Sequence, residues 1–105
     1  MYTSFNECES KELLPGFMVQ LIHTESQTFA LFKIEKGATL PEHFHINEQV
    51  SQVLEGEFEI TIEGNTRVCK VGDIAIMKSN AVHSGRAITN CKILDIFTPV
   101  REDLK

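Results

Sequence analysis

Short runs in which every second residue is apolar, broken at intervals by glycine turns, restrict this chain more than any other feature. In "TFALFKIE", residues 28–35, Phe29 and Leu31 alternate with Ala30, Phe32 and Ile34. In "EFEITIE", residues 57–63, Phe58, Ile60 and Ile62 share one face and Glu57, Glu59 and Glu63 the other. A period of two is that of an extended strand, whose successive side chains point to opposite faces. "LEGE", "EGNT" and "VGD" mark turns, and Gly64 with Asn65 suits a tight hairpin because both residues tolerate positive φ. "TRVCKV", "IAIM" and "CKILDIF" continue the series, and only residues 6–14 suggest a short helical start. Many short strands at this spacing predict an all-β sandwich or barrel.

A chain of 105 residues is long enough for one core and too short for two, so residues 1–105 are expected to form one domain. Its net charge of −5, with no Lys/Arg cluster, argues against nucleic acid or an anionic membrane surface as a partner. The first twenty residues lack the basic start and continuous apolar run of a signal peptide, and no stretch approaches transmembrane length. A cytoplasmic location is the expectation. Cys8, Cys69 and Cys91 are odd in number and lack C-x-x-C spacing, which predicts reduced thiols, two of them packed in strands.

Within "GATLPEHFHINEQVSQVLEGE", residues 37–57, two of the four histidines stand one residue apart. On a strand, His43 and His45 would project from one face, the simplest partial metal site. The spacing around them is Gly37, five residues, His43-x-His45, three residues, Gln49, six residues, Gly56; fifteen residues later "GDIAIMKSNAVH" runs from Gly72 to His83. These segments, residues 37–56 and 72–83, resemble the two motifs of the cupin superfamily. That resemblance implies a single-domain jelly-roll barrel, or double-stranded β-helix, holding one metal on His43, His45, Gln49 and His83. Gln49 stands where the family usually has Glu, and Lys78 and Asn80 where it usually has Pro and Gly; Asn80 tolerates the left-handed conformation a glycine would adopt there. Glu48 is a competing oxygen donor, disfavoured because strand alternation turns it away from Gln49. Imidazole and amide donors suit a divalent first-row ion such as nickel, zinc, manganese or iron. Three histidines and a glutamine neutralise none of that ion's charge, which makes it a stronger Lewis acid and anion receptor than a glutamate-bound one. The competing reading is an empty barrel whose histidines are satisfied by hydrogen bonds. His23, ahead of an apparent turn, reads as a surface residue.

In "CKILDIF" Ile93, Asp95 and Phe97 share a face. Taken alone, Asp95 reads as either a solvent-facing residue at a strand edge or a buried carboxyl of shifted pKa. Arg101 reads equally as a substrate contact or as a surface ion pair with Glu102 or Asp103. "EQVSQVLEGEFEITIEG", "HSGRA" and "LDIFTPVRED" together resemble the small cupins linked to pectin degradation, which convert unsaturated uronates to open keto forms. The resemblance implies catalytic roles for Asp95 and Arg101, substrate contacts from Phe97 and Arg101, and a small, anionic sugar as substrate. A metal-dependent dioxygenase and a non-enzymatic module binding a sugar or metabolite are the alternatives. Apolar residues on both faces of "KILDIF" and "TFALFKI" predict a homodimer.

Overall fold

The computed structural model describes all 105 residues. Ten strands run in the order β1 (Lys11–Leu14), β2 (Phe17–His23), β3 (Thr28–Ile34), β4 (Thr39–His43), β5 (Glu48–Glu55), β6 (Phe58–Ile62), β7 (Asn65–Cys69), β8 (Ile74–Met77), β9 (His83–Ala87) and β10 (Cys91–Thr98). They pair antiparallel into a six-stranded sheet, β1-β2-β3-β10-β5-β8, and a four-stranded sheet, β4-β9-β6-β7. The sheets face each other as a jelly roll, the all-β architecture the alternation predicts. Burial in β3 and β10 follows the period of two, with Ala30, Phe32 and Ile34 inside beside Ile93, Asp95 and Phe97.

Phe17 on β2 meets Phe32 edge-on at 6.2 Å and Phe58 on the opposite sheet at 6.5 Å. Edge-to-face packing of this kind adds about 0.5–1.5 kcal/mol per pair beyond area burial, and here it ties the two sheets together. Cys69 and Cys91 are buried in strands as free thiols, and Cys8 is half-buried. No helix is long and apolar enough to cross a membrane.

The expected helical start over residues 6–14 is not formed. Phe5–Glu7 make one 3-10 turn, and Lys11–Leu14 instead extend the sheet as β1, with Lys11 opposite Val19 and Glu12 opposite Met18. Pairing with β2 supplies the backbone partners that an isolated four-residue helical turn would lack. The "EGNT" hairpin closes one residue earlier than expected: positive φ falls on Glu63 (47°) and Gly64 (82°), and Asn65 already begins β7. Asn80 does adopt the left-handed conformation, at φ 64°.

Gly56 joins β5 to β6 at φ 84°, and a Cβ there would press on the carbonyl of Asn90 and the hydroxyl of Thr89. Gly56→Ala therefore combines a left-handed penalty with a backbone clash. It is expected to cost at least about 1–2 kcal/mol and to lower Tm by several degrees, read by thermal denaturation.

Candidate metal centre

Pro41, which has no N–H to donate, sits in edge strand β4, where the register with β9 shifts between Leu40 and His43. The shift sets His43 directly opposite His83 on β9. His45 lies two residues past the end of β4, so one continuous strand is not what brings it to His43. The inward and outward alternation nevertheless persists: Phe44 and Ile46 are 65% and 69% exposed, while His43 and His45 turn inward. Asn47 fixes that loop. Its buried amide donates to the carbonyls of Pro99 (2.6 Å) and Val100 (3.4 Å), and its own carbonyl takes the His45 Nδ1 proton at 3.0 Å.

The ring nitrogens of His43, His45 and His83 that could hold an ion lie within 4.8 Å of one another. Each Nδ1 faces a backbone carbonyl: Pro41 at 2.8 Å, Asn47 at 3.0 Å and Ala81 at 2.8 Å. A carbonyl can only accept, so each Nδ1 carries the proton and each neutral ring keeps a bare Nε2. Burial, and next the Arg101 charge, lower the His45 pKa; burial takes His83 down to about 4. Neutral imidazoles at pH 7 are the form that binds metals.

Gln49 faces this cluster from β5, 6% exposed, whereas neighbouring Glu48 points to solvent. Its Nε2 donates to Ser51 Oγ (3.0 Å) and Asp95 Oδ2 (3.2 Å), which leaves Oε1 directed at His45 Nε2, 3.1 Å away. With the His45 proton on Nδ1, those two atoms are both acceptors. His83 Nε2 is buried with no hydrogen-bond partner at all. Lone pairs facing one another and an unpartnered buried nitrogen are costly unless a cation lies between them. The residues present therefore fit a metal ion, and the empty-barrel reading leaves two of its histidine nitrogens unsatisfied.

A sequence profile of the cupin domain matches residues 30–97. The chain belongs to the cupin family. Over 70 residues this cupin is 37% identical to the pectin degradation protein KdgF of Dickeya dadantii (strain 3937), a match spanning 65% of the chain and 64% of that protein. The chain thus matches less than two thirds of that relative's length. Its fold is similar to the structure of KdgF from Halomonas sp. (TM-score 0.90, 26% identity, 95% of this chain and 94% of the other). It is also similar to an RmlC-like cupin from Shewanella frigidimarina (TM-score 0.93, 27% identity, 99% and 95%).

In this cupin Asp95 is not at a solvent-facing strand edge. It is 7% exposed on the inward face of β10, flanked by Ala30 and Ser51 on the neighbouring strands. Burial pushes its pKa up to about 7, against the opposing pull of Ser51, Gln49 and the Arg101 charge. Its Oδ1 has no partner. Of the two readings of Arg101, the ion pair is the one observed: Nε and Nη2 form a bidentate pair with Asp103 (2.9 and 2.8 Å), and the guanidinium lies 4.7 Å above the Phe97 ring. His43, Gln49, His83, Asp95, Phe97 and Arg101 all line one cavity of about 310 Å³.

Sequence reasoning missed Asn47, Ser51 and Thr28. Thr28 is fully buried, accepts the Arg101 backbone N–H at 2.9 Å and contacts His23 Nδ1 at 2.8 Å, so His23 is a half-buried partner of Thr28 and not a free surface residue. The legible signal was the inward face of β5, where Gln49, Ser51 and Val53 put two polar residues on the core side. Nothing local announces Asn47, whose partners lie over fifty residues away.

Proposed function

We propose that this cupin binds one divalent transition metal through His43, His45, His83 and Gln49 Oε1, and that it converts an unsaturated uronate to its open keto form. What carries this reading is the alignment of the histidine cluster, the Gln49 amide and the buried Asp95 carboxyl, with His43, His83, Gln49 and Asp95 lining one cavity. Similarity to a pectin degradation protein supports the substrate class. A metal held by neutral donors supplies an undiminished positive charge that polarises the sugar's oxygens.

The protein groups then divide the work. Arg101, fixed in plane by Asp103 and Phe97, offers its remaining N–H groups to the substrate carboxylate. Phe97 supplies an apolar wall to the sugar. Asp95, whose ionised form the charge of a bound metal would favour, takes the proton of the anomeric hydroxyl. The C1 carbonyl forms, the bond from C1 to the ring oxygen breaks, and its electron pair passes to that oxygen as an enolate. The same Asp95 returns the proton to the enol carbon, giving the ketone; one proton is moved and nothing is oxidised or reduced.

The test is to incubate zinc-, nickel-, manganese- or iron-reconstituted protein with unsaturated uronate monomers and to follow loss of the double-bond absorbance. Metal-dependent loss that chelation abolishes is the expected result. No acceleration with any of the four metals rejects the enzyme and leaves a binding module. Arg101→Gln is expected to raise KM roughly 10- to 100-fold, the value of a charge-assisted hydrogen bond, with a smaller change in kcat.

The proposed assembly is a homodimer through the outer face of the six-stranded sheet, whose edge strand β8 leaves Ile74 and Ile76 57% and 60% exposed. Ile76→Lys is expected to shift the mass measured by light scattering from dimer to monomer. A monomeric wild type would reject this assembly.

A further inference from the structure

The rows of paired residues trace where the cavity leads. Nearest the histidines, Phe97 lies between Gln49 and Thr28, and the next row is Asp95 with Ser51 and Ala30. Past Asp95, the row of Ile93 and Phe32 is apolar, and Ile34 faces Phe17 in the row after it. The opposite sheet changes in the same direction, from His43 and His83 to Leu40 and Ile60 and then to Phe58. Phe17, Phe32, Leu40, Phe58, Ile60 and Ile93 all line the same cavity as His43 and His83. Rows two residues apart are separated by about 6.6–6.8 Å, so the apolar floor continues for one to two rows below the polar site.

Packed interiors leave few voids larger than a water molecule, and this cavity is about 310 Å³. The space is therefore room for a ligand rather than slack in the core. A bare uronate, with hydroxyls around its ring, would find partners beside Asp95 and Ser51 but none on the floor, where an unpaired hydroxyl is costly. We infer that the site accepts an anionic ligand carrying an apolar substituent, with the carboxylate at Arg101 and the histidines and an aliphatic or aromatic body on the floor. The inference rests on the anion-binding role proposed for Arg101, and it extends the ligand class beyond an unsubstituted uronate.

The probes are acetate, butyrate, hexanoate and octanoate, titrated calorimetrically into the zinc-reconstituted protein. One site per chain is expected, with Kd falling about fourfold per added methylene until the floor is filled. Equal Kd values along the series overturn the inference while leaving the anion site standing. Leu40→Trp, which blocks the floor, is expected to erase the gain beyond butyrate; an undiminished gain places the alkyl chain elsewhere and also overturns it. Should Leu40→Trp fail to fold, the wild-type series alone decides. No binding by any member rejects the inference, and uronate turnover by the same preparation then shows whether the anion reading fails with it.

Discussion

Asp95→Asn is expected to lower kcat by about 10²–10⁴-fold, the range attributable to one positioned acid–base group, with metal content unchanged. Asn keeps the shape of the side chain and can still accept from the Gln49 amide at the position now taken by Oδ2, but it cannot carry the proton. Turnover within a factor of two of wild type would remove Asp95 from the mechanism. The same substitution is expected to raise stability in the metal-free protein. Burial holds the folded-state pKa of Asp95 near 7, above the ordinary 3.8. Between those values the unfolded chain releases a proton that the folded chain keeps, so stability declines as pH rises from about 4 to about 7 and is level above. Removing the group recovers that loss, on the order of 1–4 kcal/mol at pH 8, and recovers nothing below pH 4. Thermal melts of both metal-free proteins at pH 4 and pH 8 check the sign: a Tm gain at pH 4 equal to that at pH 8 would contradict it.

The second large effect is on metal affinity. His83→Ala removes the nitrogen that is buried without a partner and is expected to weaken binding at least about 100-fold, more than loss of an outer-sphere partner. Wild type purified without added metal should carry near-stoichiometric divalent ion by elemental analysis, and the variant little. Added zinc should raise the wild-type Tm, because a ligand at 1,000 times its Kd stabilises the fold by about 4 kcal/mol, and should leave the variant's Tm almost unmoved. Circular dichroism tells loss of the site from loss of the fold. Equal metal content in both proteins would show that His83 is not a ligand.

Strand periods were readable because burial acts on each side chain in turn: Ala30, Phe32 and Ile34 went inward, and Gln49 rather than Glu48 faced the core. The meeting of His43 with His45 was anticipated through the wrong device. A strand was expected to carry both, whereas β4 ends at His43 and Asn47 folds the loop that returns His45. That support comes from carbonyls of Pro99 and Val100, and no local pattern encodes a partner so distant in the chain. Asp95 was ambiguous for the same reason: a polar residue in an apolar run is inward or outward only once its neighbours Ala30 and Ser51 are known. The helical reading of residues 6–14 failed where Lys11–Leu14 paired with β2, and only Phe5–Glu7 form a 3-10 turn.

Glutamine at position 49 has a consequence for the traffic of protons. Its oxygen faces the histidines and its nitrogen faces Asp95, so the amide cannot turn over without breaking contact on both sides. A glutamate in its place would set two carboxylates side by side, and such neighbours share one proton and titrate as a pair. The amide has no proton to give up at any physiological pH. It keeps the Asp95 proton the property of a single residue, with no second carboxyl beside it to share the titration.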